Sequence, residues 1–208
     1  MRGKFITFEG IDGSGGSTQL GLLYDTLIEE NFDVIKVREP GGTAFSEELR
    51  NVLKHGPERT GLANLLTFEA TRAEVTERVI APALKKGKHV LADRYYDSTL
   101  AYQGFGECVD LDQIRTLNEI ATDGLLPDLT LLYDVKVEEA KPTDMAYFEK
   151  LGIDYQRRVR EGYLELAGLY PERIKIIKRF PANTKEESID KTFHNSTLPT
   201  VLELLSSF

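Results

Sequence analysis

Short apolar segments alternate with longer helical patterns along the chain. The apolar segments, each typical of a strand buried in a parallel sheet, are Lys4–Glu9, Asp33–Arg38, His89–Ala92, Leu129–Val135 and Ile174–Lys178. Apolar residues at helical spacing predict helices over Ser17–Glu30, Ser46–Lys54, Leu62–Lys86 with a break near Pro82, Leu111–Thr122, Tyr147–Leu169, Glu186–Phe193 and Leu198–Ser206. This order predicts a three-layer α/β fold, with helices on both faces of a five-stranded parallel sheet.

A glycine-rich turn follows the first predicted strand. Residues 10–18 read Gly-Ile-Asp-Gly-Ser-Gly-Gly-Ser-Thr. They match the frame of a phosphate-binding P-loop, G-x-x-x-x-G-K-[ST], except that Gly16 stands where lysine is expected. A strand before the turn and a helix after it are the context that this motif requires. The sequence therefore predicts a P-loop NTPase-type fold, and a plain strand-to-helix turn is the alternative interpretation.

The turn predicts an ATP site and a magnesium site. Backbone N–H groups at a helix amino terminus bind phosphate, and glycines allow its close approach. The candidate ATP-binding residues are Gly10, Gly13, Ser14, Gly15, Gly16, Ser17 and Thr18. Asp93 ends a strand, so its carboxylate and the Ser17 hydroxyl are the candidate Mg²⁺ ligands. Arg94 comes next and is a candidate phosphate ligand, although a surface ion pair would also explain Asp93 and Arg94.

Phe68 and Arg72 are four residues apart on a predicted helix, so they share one face. An aromatic ring beside a guanidinium suits a nucleotide base and a nearby anion. The same spacing also fits a core aromatic residue beside a solvated charge. Both interpretations stay open at this point.

Composition narrows the class of protein. The 208 residues predict one domain over residues 1–208, in which the polar stretch at about 136–147 forms a small lid. A net charge of −8 argues against a nucleic-acid-binding protein. The single cysteine, Cys108, excludes an internal disulfide bond. The chain has no apolar run of ~18 residues that would indicate a membrane span. We expect a cytoplasmic protein with neither nucleic acid nor membrane as partner.

Five segments resemble, in order, those of bacterial thymidylate kinases. They are Phe8–Gly15, Arg38–Thr43, Asp93–Gly104, Pro127–Thr130 and Val159–Tyr163. The resemblance runs to about residue 178 and fades beyond it. It implies a nucleoside monophosphate kinase, usually a homodimer, that transfers the γ-phosphoryl group of ATP to dTMP with Mg²⁺.

The resemblance also implies roles for the matched positions. Asp12 is expected to meet the sugar 3′-hydroxyl or the metal, and Asp12, Asp93 and Arg94 are the candidate catalytic residues. Phe68 is expected to stack on thymine, and Tyr102 to exclude a 2′-hydroxyl. The candidate dTMP-binding residues are Asp12, Arg38, Phe68, Arg72, Arg94, Ser98, Thr99, Tyr102 and Gln103. Near the carboxyl terminus, Phe180–Thr184 is a candidate contact for adenine.

Two departures from the family pattern affect the ATP side. Gly16 replaces the P-loop lysine, and Gly13 stands where some members carry a catalytic arginine. The other usual source of arginine is the lid, but residues 135–147 contain none, and Lys136 and Lys141 are their only cations. The sequence leaves three possibilities: a slow thymidylate kinase, a non-catalytic homologue that binds dTMP for sensing or partner binding, and a different nucleotide kinase. An engineered Gly16 in a working enzyme fits less well, because the lid is altered too.

Overall fold

The computed structural model describes residues 2–140 and 151–206. Its strands are β1 (Phe5–Glu9), β2 (Val34–Arg38), β3 (His89–Asp93), β4 (Leu129–Leu132) and β5 (Ile174–Ile176). They form one parallel sheet in the order β2–β3–β1–β4–β5, which confirms the predicted sheet. β4 ends three residues before the predicted Val135. The Tyr133 N–H still donates to the Glu9 carbonyl at 2.9 Å, but β1 ends there and offers no further partner.

The helices follow the predicted alternation, with local differences: the short helix Tyr96–Thr99 was not predicted, and a π-helix at Phe193–Thr197 joins the last two helices where a break was predicted. The helices are α1 (Gly16–Glu29), α2 (Ala44–His55), α3 (Gly61–Val75), α4 (Ala81–Lys85), α5 (Tyr96–Thr99), α6 (Leu111–Thr122), α7 (Gly152–Leu169), α8 (Lys185–Thr192) and α9 (Leu198–Leu205). The predicted helix Leu62–Lys86 is interrupted by a π-helical segment at Thr76–Ile80. Another π-helical segment, Leu100–Gly106, continues α5. It was not predicted, because its two glycines lower the helix propensity of the sequence. The start of the predicted helix at Tyr147 lies outside the described residues.

Alternating residues of β1 pack on opposite faces of the sheet, as expected for a strand. Phe5 joins a core cluster with Val75 of α3, whereas Ile6 and Phe8 join another cluster with Leu23 of α1. Helices therefore cover both faces of the sheet. Within the described ranges, no helix is both long enough and apolar enough to cross a bilayer.

The segment Leu100–Gly106 packs closely against α7 because Gly162 has no side chain. A Cβ atom at Gly162 would lie 2.5 Å from Cδ2 of Phe105. We expect Gly162→Ala to lower the free energy of unfolding by about 1–3 kcal/mol through overpacking, measured by urea denaturation. Gly168→Ala in the same helix is the control, since no atom lies within 4 Å of its added Cβ. Equal losses in both variants would contradict this packing.

Candidate active site

A cavity of about 440 Å³ opens at the edge of the sheet where the parallel strands end. Its walls include Glu9 and Gly10 at the end of β1, Arg38 of β2, Asp93 of β3 and Tyr133 after β4. Ligands of open parallel sheets bind at this edge. The glycine-rich turn and the candidate acceptor residues therefore face one shared space.

The glycine-rich turn has the backbone of an anion-binding site. Gly10, Gly13 and Gly15 have φ angles of 150°, 78° and 100°, a region that favours glycine. α1 begins at Gly16, and no side chain caps its amino terminus. Its first N–H groups are therefore available to a phosphate oxygen. Every candidate ATP-binding residue lines the cavity.

An aromatic ring lies beside Gly16. A Cβ atom at Gly16 would lie 3.3 Å from Cδ2 of Tyr133. The Tyr133 ring is stacked against Phe8, with centroids 6.0 Å apart, and its hydroxyl lies 3.1 Å from Oγ1 of Thr197. A Cβ atom at position 16 would require this ring, which is held on two sides, to shift by a few tenths of an ångström.

The candidate Mg²⁺ ligands lie together on the cavity wall. The Ser17 hydroxyl donates a hydrogen bond to Oδ2 of Asp93 at 2.6 Å. Hydroxyl and carboxylate oxygens are ligands that Mg²⁺ prefers, so the donor set fits this ion. The described part of the chain holds no group of three or more His, Cys, Asp or Glu side chains arranged for a metal. Phosphate and water oxygens would therefore complete the coordination.

Arg94 connects the turn to the opposite wall of the cavity. Its guanidinium donates to the Gly10 carbonyl at 2.9 Å, to Oδ1 of Asp12 at 2.7 Å, and to the Tyr102 and Tyr163 hydroxyls at 3.0 and 3.2 Å. The other carboxylate oxygen of Asp12, Oδ2, is buried without a hydrogen-bond partner. A buried acceptor without a partner is costly, so it is suited to a ligand hydroxyl.

Most other candidate acceptor residues line the same cavity. These residues are Arg38, Phe68, Ser98, Thr99, Tyr102 and Gln103. Arg38 forms a half-exposed ion pair with Glu47 at 2.7 Å, so its guanidinium can turn toward a ligand. Gln103 donates to Glu107 at 3.1 Å, which orients its amide.

Arg72 is buried and does not line the cavity, whereas Phe68 does. Its side chain is 1% exposed and donates to Glu39 at 2.9 Å and Glu69 at 2.8 Å. The same guanidinium also donates to Asn118 at 2.7 Å. This placement differs from both sequence interpretations, because Arg72 neither reaches the cavity nor lies in solvent. Glu69 is three residues earlier on the same helix, but Glu39 and Asn118 come from distant parts of the chain, and helical spacing does not reveal them.

Glu9 belongs to the site although sequence reasoning gave it no role. It is buried, lines the cavity and accepts hydrogen bonds from the Tyr95 N–H at 2.7 Å and the Ser98 hydroxyl at 2.6 Å. Burial raises the pKa of the Glu9 carboxyl to about 7, and the nearby Asp97 carboxylate adds to the shift. A glutamate at the end of an otherwise apolar buried strand was the available signal.

The raised pKa of Glu9 predicts a pH-dependent stability. Between its usual pKa of 4.5 and about 7 the folded protein holds a proton that the unfolded chain releases, so stability falls as pH rises through this window. We expect Glu9→Gln to reduce this fall by about 1.4 kcal/mol per pH unit, measured by urea denaturation from pH 5 to 7. Glu39, whose pKa burial also raises to about 7, keeps its own contribution.

Glu138→Gln is the control for this pH dependence. The Arg157 hydrogen bond lowers the pKa of Glu138, so its titration lies below the window. An unchanged slope in Glu9→Gln would show that Glu9 is ionised throughout.

The cavity is also lined by residues that were not predicted as site residues. Arg179, Lys185 and Glu139 line it, whereas Phe180–Thr184, the candidate adenine contact, does not. Of the two cations in the predicted lid, Lys136 is exposed and does not line the cavity. Lys141 and the rest of the lid to residue 147 lie outside the described residues.

Comparisons with known proteins agree on one family. The sequence model of thymidylate kinase matches residues 8–190. The thymidylate kinase of Desulforudis audaxviator is 45% identical over 184 residues, which cover 85% of this chain and 83% of that protein. That of Synechococcus sp. (strain JA-3-3Ab) is 47% identical over 172 residues, covering 82% and 84%. The crystal structure of thymidylate kinase from Ehrlichia chaffeensis is similar with a TM-score of 0.81 at 35% identity, covering 98% of this chain and all of that one.

Proposed function

This chain belongs to the thymidylate kinase family, and from that premise we propose that it transfers the γ-phosphoryl group of ATP to dTMP at a reduced rate. The observation that carries the proposal is that Asp12, Arg94 and Phe68 share one cavity with the glycine-rich turn. An acceptor nucleotide there has a partner for its sugar, its phosphate and its base.

The acceptor nucleotide is held by groups of matching chemistry. The unpaired Oδ2 of Asp12 accepts a hydrogen bond from a sugar hydroxyl. Arg94 and Arg38 bind the 5′-phosphate, because a guanidinium presents several N–H donors in one plane. Phe68 stacks on the base. Tyr102, fixed by Arg94 at 3.0 Å, occupies the space of a 2′-hydroxyl and so favours deoxyribose.

The phosphates of ATP are bound by the glycine-rich turn. The free N–H groups at the start of α1 donate hydrogen bonds to the phosphate oxygens. Ser17 and Asp93 would hold Mg²⁺, which when bound neutralises charge on the β- and γ-phosphates. The hydrogen bond between these two side chains holds the two oxygens 2.6 Å apart.

The reduced rate follows from the cations that the sequence lacks. A charge-assisted hydrogen bond from the usual lysine contributes about 1.5–3 kcal/mol. A catalytic arginine raises turnover by about 10³ to 10⁵ in well-studied phosphoryl transfer, or about 4–7 kcal/mol of barrier. Neither Gly16 nor residues 135–147 supply such a group. The two losses overlap, because both cations stabilise the same charge.

A second candidate function is binding of dTMP without phosphoryl transfer, in sensing or in partner binding. The Tyr133 ring favours it, because a Cβ atom added at position 16, where the usual lysine stands, would lie only 3.3 Å from that ring. The acceptor side of the cavity would then be retained for recognition alone.

A homodimer is also part of the proposal. Phe45 and Val52 share one face of α2, and Leu62 and Leu66 share one face of α3. All four side chains are about half exposed, and α2 packs directly against α3. Exposed apolar side chains on packed neighbouring helices support a contact with a second copy.

A calorimetric titration followed by product analysis tests the function. We expect dTMP to bind with a Kd below about 1 mM, and the ribonucleotide TMP to bind about 10-fold more weakly because of Tyr102. Adding ATP and Mg²⁺ should then yield dTDP. Binding of dTMP without dTDP would select the second candidate, and absence of dTMP binding would contradict both.

A further inference from the structure

Two cations of the carboxyl-terminal segment line the same cavity as the glycine-rich turn. Arg179 follows β5 after two residues, and Lys185 is the first residue of α8. Both line the cavity together with Gly13–Thr18. Arg179 thus lies at the same edge of the sheet as the turn, where parallel strands end.

The ATP side of the cavity needs these charges. Its lining carboxylates are Asp93, Asp134 and Glu139. Arg160 neutralises Asp134 through two hydrogen bonds of 2.6 and 2.8 Å. Because both bonds engage its guanidinium, Arg160 has little capacity left to bind a ligand. Without further cations, this wall would repel a polyphosphate chain.

Both side chains are able to turn toward a ligand. Lys185 has no ion pair or side-chain hydrogen bond among the residues that the structure describes. Arg179 pairs with Glu139 at 3.5 Å, and both side chains are about half exposed, so this pair is weak.

The position of Lys185 is unfavourable for its own helix. Thr184 already caps α8 by accepting the Glu187 N–H at 3.1 Å. A cation in the first turn opposes the helix dipole, so Lys185 gives this helix no local stabilisation. A ligand anion would explain a lysine at this site.

We propose that Arg179 and Lys185 bind the β- and γ-phosphates of a nucleoside triphosphate, in place of the lysine that Gly16 removes. This inference rests on the proposed function, which supplies the triphosphate as substrate. These contacts supply part of the positive charge that the lysine would provide for binding. Arg179 and Lys185 do not replace the catalytic arginine that the turn and the predicted lid lack.

A charge-matched pair of double variants tests the proposal by calorimetry with ATP–Mg²⁺, adenosine and dTMP. Arg179→Ala/Lys185→Ala removes both cations. The variant Lys175→Ala/Lys178→Ala removes the same charge from the same segment. It serves as the control because neither lysine lines the cavity. We expect the first variant to bind ATP about 30-fold more weakly than the control, with unchanged affinity for adenosine and dTMP.

Three results would overturn the proposal. These are equal ATP affinity in both double variants, an equal loss for adenosine and ATP, and no ATP binding by the parent chain. Failure of the parent to bind dTMP is a separate readout that contradicts the proposed function, while the ATP comparison remains interpretable. Arg179→Lys, which keeps the charge, should retain most of the ATP affinity and so excludes a merely structural loss.

Discussion

Replacing Arg94 with lysine is expected to weaken dTMP binding by about 10²-fold or more. Arg94 donates to five separate groups, and lysine offers a single point charge without the planar fork. Asp12 would also lose its 2.7 Å partner, so the acceptor for the sugar hydroxyl would no longer be held in place. The phosphate and sugar contacts should therefore weaken together. Calorimetric titration with dTMP measures the effect.

Arg115→Lys is the matched control for this prediction. Arg115 forms an exposed ion pair with Asp112 and does not line the cavity. Thermal unfolding of both variants shows whether any loss of binding reflects loss of the fold. If folded Arg94→Lys binds dTMP within about threefold of the parent, Arg94 is not the phosphate ligand.

Introducing the missing lysine by Gly16→Lys is expected to tighten ATP binding by about 10- to 100-fold while raising turnover less than about 10-fold. The lysine restores a charge-assisted contact, but residues 135–147 still contain no arginine. That arginine accounts for about 10³ to 10⁵ in turnover where it is present. ATP titration and steady-state dTDP formation separate the two effects.

The Tyr133 ring should limit the gain from Gly16→Lys, because the new Cβ would lie 3.3 Å from it. In the double variant Gly16→Lys/Tyr133→Leu, we expect ATP affinity to exceed the product of the two single effects, since the ring no longer obstructs the lysine. Tyr133→Leu alone serves as the reference for loss of the Thr197 contact. Recovery of about 1–100 s⁻¹ by Gly16→Lys alone would contradict the role given to the missing arginine.

The sequence predicted those features that depend on local order. Alternation of apolar segments with helical patterns predicted the parallel sheet, and the glycine spacing in residues 10–18 predicted a turn at its edge. The proximity of Ser17 to Asp93 followed because β1 and β3 both end at that edge.

The remaining features depend on contacts between distant segments. Arg72 forms a buried ion pair with Glu39, which is 33 residues away along the chain, and does not line the cavity. The site role of Glu9 depends on Tyr95 and Ser98, more than 80 residues later. Arg179 lies beyond the five motif segments, although the family model extends to residue 190, so neither motif nor spacing connected it with the turn.

A single-turnover measurement tests most directly whether the acceptor side is intact while the ATP side is weakened. Labelled dTMP is bound to excess protein, its Kd is recorded, and dTDP is followed after saturating ATP and Mg²⁺ are added. We expect ordinary dTMP binding, with dTDP forming at least about 100-fold more slowly than the ~1–100 s⁻¹ of typical kinases. Formation of dTDP within that range, or no binding of dTMP, would contradict this division of the site.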